Sequence, residues 1–389
     1  MEMLELLESI RAEDASVQRL FNADKDGSGV RHSALRARKD YQQRLAEAAK
    51  FLADVVKGRR PMRQLQEAMT TSDFPYLFGD ILDRQLLAAY REAPATWQNY
   101  TKRSTVRDFR EVKRFGVYGA DQVLDAVPEQ KEYKGSKIDE DSPFTFSVKK
   151  YGRKLSFSWE AFINDDLQAL EDGPVRLGRA ARRSEQKFVT QMYVDANGPH
   201  ASFYTGGYAN IITGNPALSV AGLQTGLEIL AGKTDQDGEP IEIEAVELVI
   251  PPTLEVTALN ILNALTIELS EKGGTSNSKL TSANWLKSKF RINKDPYIPI
   301  VASAANGKTS WFLFANPDNG RPAMELGFLR GHEEPEIFMK APNAMRVGGG
   351  PAEEFDFETD TREHKVRHVF GGTREDPKMT VGSNGSGVA

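Results

Sequence analysis

Between residues 172 and 200, apolar side chains return every three or four positions. Gly178, Ala181, Phe188, Val189, Met192, Tyr193 and Ala196 form one stripe, while Arg176, Arg179, Arg182, Arg183 and Lys187 sit mostly off it. The spacing predicts one long helix. Asp172 or Gly173 can cap its start, Pro174 fits the first helical position because an N–H there would have no partner, and Asn197-Gly198-Pro199 stops it. At about 1.5 Å per residue a helix over 174–196 spans roughly 35 Å, the length of a spine from which other elements hang. Just before it, residues 144–159 alternate. Phe144, Phe146 and Val148, then Leu155, Phe157 and Trp159, point one way in each half. The basic centre, 149–154, contains Gly152 and reads either as a kink within one long strand or as a turn between two. A strand running into a long capped helix is the central unit of the chain.

The same reading applied elsewhere divides the chain. Residues 1–70 read as a helical arm, with a short amphipathic helix over 1–19, a polar loop, and a second helix over 33–57 carrying Leu35, Leu45, Ala49, Leu52 and Val56. Residues 71–102 add a helix joining arm to core, with Leu77, Ile81, Leu82, Leu86, Ala89 and Tyr90 apolar and Pro94 at its end. Residues 103–154 are charged, punctuated by glycine and poor in helical pattern, so they read as a long two-stranded excursion that leaves the core and returns. A lone hairpin is not stable in water. The economical expectation lays it on another subunit; the alternative is a small β-subdomain. Beyond a loop over 201–216, the pattern predicts a helix over 219–231, a buried strand over 241–250, a helix over 253–270, and short strands at 297–303, 311–314 and 325–329. Together these make an α/β domain over 216–345. Residues 355–370 return as an alternating strand, which groups 155–215 with 346–375 around the long helix. The Gly/Ser-rich tail, 376–389, reads as flexible.

Composition narrows the function. A chain of 389 residues has room for two or three domains. The net charge of −5 gives no global attraction to nucleic acid or acidic lipid. Locally the balance differs: residues 31–63 hold ten Lys and Arg against Asp40, Glu47 and Asp54. That segment is either a basic arm meeting nucleic acid or an acidic neighbour, or a solvated helix face. No run approaches the ~20 apolar residues that cross a bilayer, and the acidic, amphipathic start is not a secretory signal. The chain is expected to be cytoplasmic where it is made. Without cysteine there is no disulfide, thiol nucleophile or Cys-based metal site.

Little in the chain asks for catalysis. Walker, GxSxG and HExxH patterns are missing, and Gly348-Gly349-Gly350 does not lie between a strand and a helix. Asn22, Asp24, Asp26 and Gly27 match the first half of a calcium loop, but the position for the bidentate Glu is Ser33, so a polar turn is expected. His364 and His368 lie in a strand-like stretch, where an even spacing simply puts them on one face. Asp165-Asp166 and Glu353-Glu354 are adjacent pairs that a strand would point apart. No catalytic, cofactor or metal site is expected.

Four stretches carry a resemblance: TTSDFPYLFGDILDRQLLAAY from residue 70, TVRDFREVKRFG at 105–116, KKYGRKLSFSWEAFINDDL at 149–167 and ARRSEQKFV at 181–189. In order and wording the chain resembles the major capsid proteins of tailed bacteriophages with a Mu-like head subunit, including many phages of actinobacteria. The resemblance covers about 71–370. It implies an α+β shell fold shared with encapsulins and the herpesvirus capsid floor, with 103–154 as an extended loop over an adjacent subunit. It makes 174–196 the spine helix of a peripheral domain (155–215 and 346–375) and 216–345 an axial domain around five-fold and six-fold centres. It further implies self-assembly into hexamers and pentamers of an icosahedral head in the virion, non-specific contact with packaged DNA, and portal, scaffolding and decoration proteins as partners. Some relatives crosslink a loop lysine to a neighbour's asparagine, but no motif here fixes such a pair. Residues 1–70 are short for a cleaved scaffold, so an uncleaved arm reaching neighbours is expected. Assembly contacts are expected from Arg107, Arg110, Lys113, Arg114, Lys149, Lys150, Arg153 and Lys154, paired across subunits with Glu129, Glu132, Asp139 and Glu140. Competing expectations are an encapsulin-like compartment, a soluble α/β enzyme using 216–345, and a nucleic-acid-binding protein using 31–63.

Overall fold

The structure is a computed structural model. It describes residues 85–114, 117–118, 139–140, 144–158, 160, 167–234, 238, 240–241, 243, 246–270, 279–302, 306–318, 321–340 and 356–387, with 47, 48, 50, 51, 54 and 59 near the start. The helix expected over 1–19, the calcium-like loop and almost all of the basic segment lie outside the described residues.

The alternating stretch and the spine helix follow one another as the pattern requires. Strand β6 (Lys149–Ser158) leads to helix α1 (Leu167–Tyr193). Two expectations are corrected. The strand neither kinks nor turns at its basic centre: Gly152 lies inside β6, and the break comes at Ser147-Val148, ahead of it. The helix begins at Leu167, so Pro174 lies inside it and not at its first position. It ends at Tyr193, where Val194–Asp195 (β7) turns back through Asn197 onto Gly198–Pro199 (β8). Gly198 has φ +107°, a conformation that glycine adopts without a steric cost.

Contacts divide the chain into two units, each drawn from separate segments: 1–94, 149–184 and 329–370 form one, and 95–148, 185–328 and 371–389 the other. In the first, β6 pairs antiparallel with β16 (Thr361–Arg374) from Lys149↔Phe370 to Ser158↔Thr361. Strand β15 (Glu336–Met339) pairs with the same β16. Residues 85–92 are helical, and Leu86, Ala89 and Tyr90 are buried. They meet α1 at Gly178, where a Cβ would lie 2.4 Å from the Leu86 carbonyl oxygen, so the two backbones touch through the missing side chain. The Arg182 guanidinium stacks 3.9 Å from the Tyr90 ring centre and donates to its hydroxyl at 3.2 Å. His364 and His368 are both buried on β16, and His368 meets Tyr90 edge-on.

The second unit is built on a four-stranded sheet. Strand β9 (Val246–Ile250) runs parallel to β12 (Phe290–Lys294) and antiparallel to β13 (Trp311–Ala315), and β13 pairs with β17 (Thr380–Ser383). Helices α2 (Val220–Ala231) and α3 (Glu255–Asn263) cover it, so Leu223, Leu230, Ala258 and Leu262 share a core with Leu248, Ile250, Trp311, Leu313 and Val381. Ser219 caps α2 by accepting from the Gly222 N–H at 3.1 Å.

Here three sequence readings are corrected. The helix expected over 253–270 stops at Asn263, and Thr266–Ser270 (β10) forms a hairpin with Lys279–Ala283 (β11), as its β-branched Thr266 and Ile267 favour. The strand expected at 297–303 is a short helix, α4 (Ile298–Val301), with Pro299 in its first turn. The tail expected to be flexible supplies β17, whose four residues are all buried. Val381 enters the core, and Gly382 lets the rings of Tyr204 and Phe312 approach.

Candidate functional site: a ribbon and its root

The excursion is narrower than the sequence suggested. Its expected first residues belong to β1 (Lys102–Val106), which is hydrogen-bonded in a sheet beside β14 (Met324–Leu329), and its last six belong to β6. Between them the chain does form a two-stranded ribbon. β2 (Val112–Arg114) pairs antiparallel with β5 (Phe144–Phe146), and β3 (Val117–Tyr118) with β4 (Asp139–Glu140). Arg114 faces Phe144 and Val117 faces Glu140, so the returning arm has one residue more between its paired segments.

The root is fixed to the second unit by one aromatic and one charged contact. Phe146 is buried, and its ring lies where a Cβ on Gly327 of β14 would stand, 2.5 Å from the ring edge, so only glycine admits it. Arg114, the last residue of β2, forks onto Glu325 of β14, with Nη2–Oε1 at 2.9 Å and Nε at 3.1 Å from both oxygens. Glu325 is 1% exposed, and Ser104 of β1 also donates to it. Glu375, just after β16, hydrogen-bonds the same carboxyl. Burial, then the bond to Glu325 and its charge, push the Glu375 carboxyl up to about 9. Against its own burial, hydrogen bonds from Glu375, Arg114 and Ser104 hold Glu325 below the ordinary carboxylate value.

The expected contact residues separate into three groups. Arg107 and Arg110 are exposed in the bend after β1, Arg110 beside Asp108 at 3.8 Å; Lys113, Lys149, Lys150 and Arg153 are also exposed. Asp139 and Glu140 lie on β4, while Glu129 and Glu132 are outside the described residues. Arg114 and Lys154 each have a partner within their own chain, Glu325 and Glu363 respectively, that the sequence reading did not assign. The reason is the pairing of β14 and β16 with segments over 200 residues away, which periodicity does not reveal. Glu325 escaped the sequence reading, although an acid inside the apolar run 324–329 is a signal of a buried partner.

In the first unit, Lys154, Phe338, Lys340, Glu363, His364 and Lys365 line a pocket of about 310 Å³. Its charges are mutually engaged: Lys154 and Lys340 share Glu363, and Lys340 also holds Asp356. Among the described residues, no group of three His, Cys, Asp or Glu is placed to hold a metal, and no helix is long and apolar enough to cross a membrane.

Comparison with known proteins bears on the whole arrangement. No curated protein matches the chain. Similar solved structures include the virus-like particle from Pyrococcus furiosus, at 11% identity and TM-score 0.43, covering 79% of this chain and 99% of that one. The SrpI encapsulin complex from Synechococcus elongatus PCC 7942 gives 12% identity and TM-score 0.45, covering 76% and 89%. Mycobacterium phage Ogopogo gives 12% and 0.41, covering 74% and 91%. In sequence, the family described as phage capsid protein matches residues 142–381. That match spans more than half of the chain, from just before β5 into β17, and takes in the strand–spine unit and the sheet that β17 completes; this chain belongs to the phage capsid protein family.

Proposed function

We propose that this chain is the major capsid protein of a tailed bacteriophage, a structural subunit that assembles with copies of itself into the icosahedral shell around the double-stranded genome. The observation that carries the reading is the family match over 142–381. The sheet of β9, β12, β13 and β17 with α2 and α3 serves as the axial domain of hexamers and pentamers. The β6–β16–β15 sheet with the start of α1 serves as the peripheral domain. The ribbon lies over a neighbouring subunit, with Arg107, Arg110, Lys113, Lys149, Lys150 and Arg153 meeting acids such as Asp139 and Glu140 of the next copy. Exposed pairs of this kind contribute only about 0–1 kcal/mol each, so repetition around a closed lattice supplies the strength. Packaged DNA, portal, scaffolding and decoration proteins are the further partners.

Negative-stain microscopy of the concentrated protein tests the reading, with closed icosahedral shells expected. A discrete dimer or tetramer at every concentration in size-exclusion chromatography would overturn it. The contents of particles recovered from cells separate a phage head, holding nuclease-protected DNA, from an encapsulin-like compartment, holding protein cargo.

A further inference from the structure

The root of the ribbon brings two carboxyl groups together under one arginine. Glu325 takes the Arg114 fork from β2 and the Ser104 hydroxyl from β1, and shares a hydrogen bond with Glu375. The other Glu375 oxygen, Oε1, is buried without a hydrogen-bond partner among the described residues. The Glu375 N–H is tied to the Ala323 carbonyl at 2.9 Å, so the backbone holds the side chain beside β14. Among the described residues, Lys102 at the start of β1 also faces the pair. Two carboxyls in contact stay together only while a proton lies between them.

We propose that Glu325 and Glu375 form a proton-operated latch on the ribbon. With one proton shared, Arg114 is left to neutralise a single charge and holds β2 against β14. When hydroxide removes that proton, two carboxylates face each other with Arg114 bound to Glu325 and Lys102 nearby, and the root loosens. The proposal rests on the ribbon being the element that reaches a neighbouring subunit, since the latch sets how firmly its base is aimed. Because Glu375 keeps its proton up to about 9, the latch weakens as pH rises towards about 9 and is fully released above it.

Hydrogen–deuterium exchange on the unassembled full-length chain tests this between pH 7 and 10.5, with rates corrected for intrinsic exchange. Protection at 102–114 and 144–148 should fall by up to about tenfold per pH unit from pH 7 to about 9 and level off above it. Peptides from β9 and β13 should keep theirs. Glu375→Gln supplies the same donor without a titrating proton and should abolish the loss at the root. An equal loss in that variant overturns the latch. If the variant fails to fold, unchanged protection at 102–114 in the wild type up to pH 10.5 overturns it alone. The measurement needs no shells, so absence of assembly in the microscope counts against the capsid reading and leaves the latch to its own test.

Discussion

Asp295 is fully buried and takes hydrogen bonds from the hydroxyls of Tyr193 at 2.5 Å, Thr190 at 2.6 Å and Tyr100 at 3.3 Å, and from the Tyr297 N–H. Gln186 joins the network through Tyr100, Thr96 and the Trp97 N–H, and Glu185 accepts from the Trp97 indole at 3.1 Å. The apolar stripe of α1 was legible, but these polar side chains on the same helix were not singled out by the sequence reading. Their burial is decided by segments about 90 and 105 residues away, to which no local period points. Asp295→Asn puts a donor among donors and should cost about 1–3 kcal/mol, read as a lower urea midpoint. Glu375 gives a pH signature at the same scale. It binds its proton more tightly in the fold than at the ordinary value of 4.5, so its stabilisation is complete below about 4.5 and is lost as pH rises to about 9. The stability of the wild type should therefore decline relative to Glu375→Gln across that window in urea titrations. A constant difference between the two would contradict the shared proton.

Single elements were readable where one period ran without interruption. α2 was placed to within a residue because Ser219 marks its start and Leu223, Leu227 and Leu230 its buried side. α1 was shortened at its start because proline normally begins a helix, and here seven residues continue ahead of it. β10 and β17 were not found: one follows a helical pattern without a break, and the other is Thr-Val-Gly-Ser, whose small residues resemble a linker until Trp311 and Phe312 pack beside them. Where α1 meets residues 85–92, contact is between backbones. Gly178→Val would drive a methyl-bearing carbon into the Leu86 carbonyl and should destabilise by about 1–3 kcal/mol, seen as a lower melting temperature.

For the whole molecule, the family was legible in four stretches, and the two-stranded character of the excursion in its composition. The candidate contact residues were legible as charges, but the intrachain partners of Arg114 and Lys154 were not. The exposed remainder carries the assembly prediction. Deleting 120–138 removes the ribbon beyond β3 and β4 and leaves Arg114, Glu325 and Phe146 in place. The variant should stay soluble and folded by circular dichroism yet form no shells, and normal shells in micrographs would refute the ribbon's role. The two units are also interleaved along the chain, each taking segments from its beginning, middle and end. Ser104 and Glu325, which share one hydrogen bond, are 221 residues apart. Neither unit can be completed while the ribosome is still supplying the middle of the chain, so folding waits until nearly all of it is available. Contacts of such long range make refolding slow and leave unpaired edges open in the meantime, which makes this a subunit whose yield should depend on chaperones before it depends on its neighbours.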